Sequence, residues 1–294
     1  MTLRGEAAVV GIAELPIQEF YPGRSQVGLA AQVSGLAIAD AGLRKEDIDG
    51  LVISNALAPS DLAEYIGIRP CYATAVGMQG ASGATGVTLA AAALKAGLCN
   101  YVLVVIAQHR WPATGRGGGG GQQATIGSEF ESPFGLGAGA GTGYAMIYQR
   151  HMYEFGTKPE QLARIAVNQR FNAMTNPNSV FGNLHGAAHP IALGGKTITV
   201  EDVLNSRYIE APLRLLESVM PCAGGVACIV TTAARAKALP HRPAYLLGSG
   251  IEQGAGTLWQ SPRITTTPVK VSAAHAFAMA GYSPKDMQFA EFYD

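Results

Sequence analysis

The feature that most constrains the fold is an internal repeat. One shift of 239 positions, which carries residue 42 to residue 281, aligns three dipeptide pairs without a gap. The pairs are Gly11-Ile12 with Gly250-Ile251, Ala41-Gly42 with Ala280-Gly281, and Asp47-Ile48 with Asp286-Met287. Each copy reads as a strand, a longer excursion, a helix that ends in Ala-Gly, a short turn with Asp, and a second strand. Duplication of this kind predicts two similar halves.

The helix of the first copy has clear start and stop signals. Apolar residues recur at helical spacing between positions 25 and 41, and they are Leu29, Val33, Leu36 and Ala37. Ser25 is suited to accept a hydrogen bond from a free N–H of the first turn. Gly42 is suited to the left-handed conformation that ends many helices. We therefore predict an amphipathic helix with this apolar face buried.

The rest of the first copy predicts an α/β unit with parallel strands. Apolar runs over residues 7–13, 51–54, 71–76 and 101–107 have the length of buried strands. The alanine-rich stretch 84–96 predicts a helix between the last two of them. A strand, a glycine-containing turn, a helix and a strand in this order are typical of βαβ units.

Residues 113–221 differ in character and are interpreted as one large loop insertion into the first half, which comprises residues 1–112 and 222–237. Residues 226–232 and 245–251 again predict strands, the second at the start of a partial second half over 238–294. Nothing after residue 294 corresponds to the first copy's glycine turn, helix and last strand. Because a sheet without its last strands exposes an open edge, we expect a fragment, or a missing piece that another polypeptide supplies.

Charge and cysteine content restrict the classes of partner. The 21 Lys and Arg residues balance the 21 Asp and Glu residues, so no basic excess favours nucleic acid or an anionic membrane. No apolar run approaches the ~18 residues that span a bilayer. Cys71, Cys99, Cys222 and Cys228 lack CxxC spacing, which favours free thiols over a metal site or disulfides. We expect a cytoplasmic protein that binds small molecules or other proteins.

Several motifs, in order, resemble the loop region of lipid-transfer (sterol-carrier-type) thiolases of the thiolase superfamily. They are Phe134-Gly135-Leu136-Gly137, Arg150-His151-Met152-Tyr153-Glu154-Phe155-Gly156-Thr157, Glu160-Gln161-Leu162-Ala163, Asn176-Pro177-Asn178, Thr199-Val200-Glu201-Asp202-Val203-Leu204-Asn205-Ser206-Arg207 and Ala211-Pro212-Leu213-Arg214. The resemblance implies an α/β, thiolase-like αβαβα fold. It would have two similar halves, a large loop insertion and an incomplete second half.

One departure from the family decides the expected chemistry. In thiolases the turn before the alanine-rich helix carries the nucleophilic cysteine, which the helix N-terminus helps to keep as a thiolate. Gly80 stands at that position here, followed by Ala81, Ser82 and Gly83, which fit the turn. Covalent acyl transfer through a thiolate is therefore expected to be lost.

An acyl-CoA pocket that stabilises a thioester enolate suffices for retro-aldol cleavage, which needs a base and no nucleophile. Thiolase-like aldolases of steroid side-chain degradation are a branch of this kind, and the resemblance points to them. The implied function is cleavage of a β-hydroxyacyl-CoA with release of a short acyl-CoA. Two alternatives stay open: a thiolase-type acyltransferase that uses another nucleophile, and an inactive subunit that binds acyl-CoA or supports an active partner.

The resemblance also assigns roles to residues. Tyr293 falls on the first position of the family's Asn-Glu or His-Asp pair and would act as base, oriented by Asp294; the alternatives are a tyrosine that caps the core and a disordered terminal residue. Gly80, Ala81 and Ser82 would form the oxyanion pocket, and the alternative is an ordinary strand-helix turn. Arg150 would contact a CoA phosphate or is simply solvated.

The expected partners follow from the family. The substrate would be an acyl-CoA, with coenzyme A as part of the substrate and no separate cofactor or metal. Thiolases assemble as dimers through the edge of the first-half sheet, and relatives of this branch pair with a small OB-fold and zinc-ribbon protein. We therefore expect a homodimer and a small partner protein of that kind.

Overall fold

A computed structural model describes residues 2–54, 57–109, 130, 140–182, 196–254 and 260–292. The strands are β1 Ala7–Glu14, β2 Gly50–Ser54, β3 Tyr72–Val76, β4 Tyr101–Gln108, β5 Tyr208–Glu210, β6 Leu213–Arg214, β7 Gly224–Thr232 and β8 Ala244–Tyr245. The helices are α1 Gln26–Asp40, α2 Pro59–Ile66, α3 Ser82–Lys95, α4 Ala140–Phe155, α5 Pro159–Thr175, α6 Val200–Asn205, α7 Ala233–Ala236 and α8 Val269–Ala280.

Six strands form the central sheet in the order β3-β2-β4-β7-β1-β8. β2 runs parallel to both β3 and β4, and α3 connects β3 to β4, which confirms the predicted βαβ character. β7 lies between β4 and β1 and is antiparallel to both. After the insertion, the chain thus returns to the first-half sheet and adds β7 to its middle. The exact domain boundaries stay a prediction.

Helix α1 begins and ends as its sequence signals predict. The Ser25 hydroxyl accepts a hydrogen bond from the Gly28 N–H, and Gly42 takes a left-handed φ of 68°. The predicted apolar face is wrong at Leu36, which is 48% exposed. The buried face is rotated slightly and consists of Leu29, Ala30, Val33, Ser34, Ala37 and Ile38. Small residues in that stripe let α1 lie close to the sheet.

Helix α3 covers the opposite face of the sheet, so the first half has helix, sheet and helix layers. Ala90, Ala91 and Leu94 of α3 are buried against that face. A methyl group added to Gly86 would lie 2.9 Å from a Val104 methyl carbon, tighter than van der Waals contact allows. The absence of side-chain bulk along α3 therefore brings its N-terminus close to the sheet.

The repeat is present in three dimensions at the end of each helix. Gly42 and Gly281 have φ values of 68° and 69°. In the turn that follows, Asp47 accepts a hydrogen bond from the backbone N–H three residues earlier at 2.8 Å, and Asp286 does the same at 2.7 Å. The shift of 239 positions is confirmed for this helix end and turn.

The repeat is displaced by two residues in the strand before the helix. A side chain on Gly11 would collide with the Ala37 carbonyl oxygen, and one on Gly248 would collide with the carbonyl oxygen of Ala276, the counterpart of Ala37. The counterpart of Gly11 is therefore Gly248, and the predicted pairing with Gly250 is wrong. The two glycines are equivalent because each lets its strand approach the same position of the following helix, an approach that a side chain would block.

The insertion has a small core of its own, formed by Ala163, Ile198, Val203, Leu216 and Met220. The strand predicted over 245–251 is wrong in extent, because only Ala244–Tyr245 pairs, with β1. Residues 287–292 form no strand within the described part of the chain. None of the helices described is long and apolar enough to span a membrane.

Candidate active site

The turn at the head of α3 is held by its own hydrogen bonds. The Ala81 N–H donates to the Met78 carbonyl oxygen at 3.0 Å, and the Ser82 N–H donates to that of Gln79. The Ser82 hydroxyl donates to the Gln79 carbonyl oxygen at 2.6 Å and accepts from the Met78 N–H at 3.1 Å. Ser82 is buried, and its hydroxyl stabilises the turn.

These bonds decide which amides of the turn are available to a substrate oxygen. The N–H groups of Ala81 and Ser82 are engaged within the turn. Of the three predicted pocket residues, Gly80 is the one whose N–H group takes no part in these hydrogen bonds, and Gly80 is exposed to solvent. An oxyanion role for this turn, which stays a prediction, therefore centres on Gly80 and on the N-terminus of α3 beyond Ser82.

Sequence reasoning missed Gln79. Among the described residues other than glycine, it is the one with a positive φ, which is 48°. A side chain in the left-handed region costs of order 1–3 kcal/mol, and such residues concentrate at functional sites. The sequence contains no signal for this conformation, because glycines lie close by at positions 77 and 80 and would have been the expected bearers.

All four cysteines are described, and none lies at the head of α3. Cys71 precedes β3 and so lies at the far end of that strand from the turn, about 17 Å away for a five-residue strand. Cys99 follows the C-terminus of α3, and Cys222 packs against the core of the insertion. Cys71 and Cys99 are therefore remote from Gly80.

Cys228 comes nearest in the sheet but is also displaced from the turn. It pairs in register with Val104, which lies beside Gly86, whereas the start of α3 at Gly83 lies beside Ile106. Two residues along a strand correspond to about 7 Å. Burial raises the pKa of the Cys228 thiol to about 11, so it is protonated at neutral pH. Residues 72–98, which include the turn and α3, contain no cysteine, and the loss of covalent acyl transfer stays a prediction.

A separate cavity of about 690 Å³ lies between α4 of the insertion and the segment around Ile264. Its described lining residues are Thr142, Ala145, Met146, Gln149, Arg150, Tyr153, Glu210, Ala211 and Ile264. The Thr142 hydroxyl donates to a Glu210 carboxylate oxygen at 2.6 Å. The predicted CoA contact, Arg150, is thus placed on a cavity wall together with an aromatic and a thioether side chain.

Arg150 is oriented by a neighbouring carboxylate. Its Nε donates to Glu154 Oε1 at 2.7 Å, and its guanidinium carbon lies 5.7 Å from the centre of the Tyr153 ring. The Arg150 and Thr265 hydrogen bonds are the largest causes that lower the pKa of Glu154. Glu154 is therefore ionised at neutral pH and holds Arg150 in a defined orientation.

Tyr293 and Asp294 lie outside the described residues, so their role stays a prediction. Gly80, Ala81 and Ser82 are not among the described residues that line the cavity. Within the described part of the chain, no group of three or more His, Cys, Asp or Glu residues is arranged to hold a metal ion.

Known proteins similar to this chain include an aldolase, a lyase and, at 28% identity, an acetyl-CoA acetyltransferase of Methanothermobacter thermautotrophicus, for which the match covers 98% of this chain and 73% of the relative. A steroid side-chain-cleaving aldolase of Thermomonospora curvata is 33% identical over 306 residues, covering 99% of this chain and 75% of the relative. A 17-hydroxy-3-oxo-4-pregnene-20-carboxyl-CoA lyase of Mycobacterium tuberculosis is 30% identical, covering 99% of this chain and 76% of the relative. No family model matches the chain.

Solved structures give the fold. An Ltp2-ChsH2(DUF35) aldolase superposes with a TM-score of 0.83 at 32% identity, over 97% of this chain and 72% of that chain. A monomeric SCP2-thiolase-like protein of Mycobacterium smegmatis superposes with a TM-score of 0.73 at 19% identity, over 96% of this chain and 58% of that chain. The second likeness supports the fold alone.

The architecture is therefore the thiolase fold, with Gly80 rather than a cysteine in the turn before its alanine-rich helix. The chain belongs to the thiolase superfamily, where its relatives include an aldolase that cleaves steroid side chains. The resemblance drawn from the sequence motifs is confirmed.

Proposed function

We propose that this protein is a carbon-carbon lyase that cleaves a β-hydroxyacyl-CoA, with a steroid or similar acyl chain, and releases a shorter acyl-CoA. The observation that carries the proposal is the combination of the thiolase frame with a glycine where the nucleophile would stand. The N–H donors at the head of α3 would stabilise an enolate, and because the turn itself has no cysteine, it supplies no thiolate to accept an acyl group.

The proposed reaction is a retro-aldol cleavage that balances without a cofactor. A base removes the proton of the β-hydroxyl group, the oxygen forms a carbonyl, and the bond between the α- and β-carbons breaks. The electron pair passes to the α-carbon and is delocalised onto the thioester oxygen. N–H donors at the head of α3, with Gly80 first, would stabilise that oxygen, and a proton added to the α-carbon completes the short acyl-CoA.

Tyr293 is the proposed base, with Asp294 orienting it. A phenol has an ordinary pKa of about 10, so this role requires neighbours that lower it. Tyr293→Phe removes the titrating hydroxyl while keeping the ring, and it should abolish turnover while acyl-CoA binding is retained. If the variant turns over at the wild-type rate, the base is another residue.

Coenzyme A is proposed to bind at the cavity lined by Arg150. The cavity volume is within the usual range for small-molecule sites, and a guanidinium is a frequent partner of phosphate groups. Tyr153 and Met146 supply apolar wall area for the uncharged part of the coenzyme A chain.

Two partners are proposed on family grounds. β3 is an edge strand with a single neighbour among the described strands, which leaves it open for pairing with β3 of a second copy in a homodimer. A small OB-fold and zinc-ribbon protein is the proposed second partner, in keeping with a solved relative that is an Ltp2-ChsH2(DUF35) aldolase. Sedimentation of the protein alone and with such a partner tests both assemblies.

The test of the function is direct. The protein is supplied with a β-hydroxyacyl-CoA that carries a tertiary hydroxyl, alone and with a candidate partner, and mass spectrometry follows the short acyl-CoA and the ketone in equal amounts. If neither appears under any condition, the lyase proposal is wrong. Acyl transfer is the second candidate, in keeping with the acetyl-CoA acetyltransferase among the similar proteins. It would require an acyl-enzyme, which the same spectra would reveal. An inactive subunit would bind acyl-CoA without turnover.

A further inference from the structure

The Glu154 carboxylate contacts residues from both walls of the cavity. From α4, Arg150 Nε donates to Oε1 at 2.7 Å. From the opposite wall, the Thr265 hydroxyl donates to Oε2 at 2.8 Å, and Arg263 Nη2 lies 3.4 Å from the same oxygen. Arg263 and Thr265 flank Ile264, which lines the cavity. One carboxylate therefore connects residues more than a hundred positions apart in the chain.

The exposure of these groups distinguishes Glu154 from an ordinary surface charge. The Glu154 side chain is 15% exposed, whereas the side chains of Arg150 and Arg263 are 53% and 58% exposed. The carboxylate lies behind the two guanidinium groups, and the cations face solvent. Exposed ion pairs contribute little to stability, so the value of this arrangement lies in the geometry that it imposes.

We propose that Glu154 is a positioning residue, which fixes the Arg150 guanidinium at the cavity and joins α4 to the segment around Ile264 so that a CoA phosphate meets an oriented cation. The inference rests on the proposed binding of CoA at this cavity. Glu154 touches Arg150 through Nε, which leaves the four N–H groups on the two Nη atoms for a phosphate. The hydrogen bonds that lower the pKa of Glu154 keep the carboxylate ionised.

A purely structural role is the competing explanation, and a double-mutant cycle separates the two. If Glu154 acts through Arg150, its replacement has no further effect on CoA affinity once Arg150 is gone. If Glu154 merely holds the two walls together, its replacement weakens binding by the same factor in either background. Protein stability alone does not distinguish these cases, but the coupling of the two substitutions does.

The experiment measures CoA affinity by titration calorimetry for the wild type, Arg150→Ala, Glu154→Gln and the double variant. We expect about 10-fold weaker binding for Arg150→Ala, about 5-fold for Glu154→Gln, and a double variant within about 2-fold of Arg150→Ala. Glu64→Gln on α2, an exposed glutamate outside the cavity, is the matched control and should leave the affinity unchanged.

Each other result has a distinct meaning. If Arg150→Ala weakens CoA binding while Glu154→Gln does not, or if Glu154→Gln acts equally in both backgrounds, the positioning role is refuted and the CoA site stands. If Arg150→Ala leaves the affinity unchanged, the CoA site proposed at this cavity is itself wrong. Should Glu154→Gln fail to fold, Thr265→Val removes one hydrogen bond to Glu154 without altering α4, and the same cycle with Arg150→Ala decides the matter.

Discussion

The placement of Gly80 at the head of α3 can be tested by putting a thiol there. Gly80 is not among the described glycines with a positive φ, so a side chain fits its backbone conformation. It lies two residues before the first residue of α3, in a 3₁₀ turn that rises about 2 Å per residue. A thiol in Gly80→Cys would therefore lie about 4 Å from the helix terminus along the axis.

The expected effect on that thiol follows from the helix dipole. A half charge at about 4 Å with an effective dielectric constant of about 20 stabilises a thiolate by about 2 kcal/mol. This interaction lowers the pKa of an ordinary thiol from about 8.5 to about 7. The thiolate fraction at pH 7 then rises about 16-fold, while the lower intrinsic nucleophilicity reduces the gain in reaction rate to about 3-fold.

The assay follows the rate of reaction with an aromatic disulfide between pH 5 and pH 10, in a Cys71→Ser background that removes the exposed native thiol. The matched control is Gly35→Cys, at an exposed position within α1 where an added side chain meets open space. The rate midpoint should lie near pH 7 for Gly80→Cys and near pH 8.5 for the control. Equal midpoints would refute the placement of Gly80 at the helix terminus.

Three further predictions concern the frame of the site. Gly11→Ala should destabilise the protein by about 3 kcal/mol in urea unfolding, because its methyl group collides with α1, whereas Gly35→Ala should stabilise it by about 0.5–1 kcal/mol; equal effects would contradict this packing. Burial raises the pKa of Cys228 from 9.0 to about 11, so only the unfolded chain loses this proton between pH 9 and pH 11. The free energy of unfolding should therefore keep its full value below pH 9 and fall between pH 9 and pH 11. If a Cys228→Ala variant loses as much stability over the same pH range, the loss does not originate from Cys228. Gln79→Gly should raise the melting temperature by relieving the left-handed conformation, and a lowered one would argue against strain there.

Much of the fold could be predicted because its signals are local. The cap at Ser25, the left-handed Gly42 and the Asp turn after it depend on neighbouring residues, and the same local pattern recurs 239 positions later. The lack of a thiol near Gly80 was also readable, since the strand-turn-helix pattern places that turn by local periodicity. These features involve contacts within a few residues, which short sequence windows contain.

What the sequence alone determined is thus the family, the βαβ unit and the presence of a glycine rather than a cysteine at position 80. The tertiary structure decided the two-residue displacement that makes Gly248 the counterpart of Gly11, the left-handed Gln79, and the cluster of donors around Glu154. The Gln79 conformation belongs to a turn held by its own hydrogen bonds. The other two features depend on atoms brought together from distant parts of the chain, by a helix packed on a strand or by one cavity wall facing another. Local sequence periodicity does not predict such long-range contacts, because they depend on how the assembled helices and strands pack against one another.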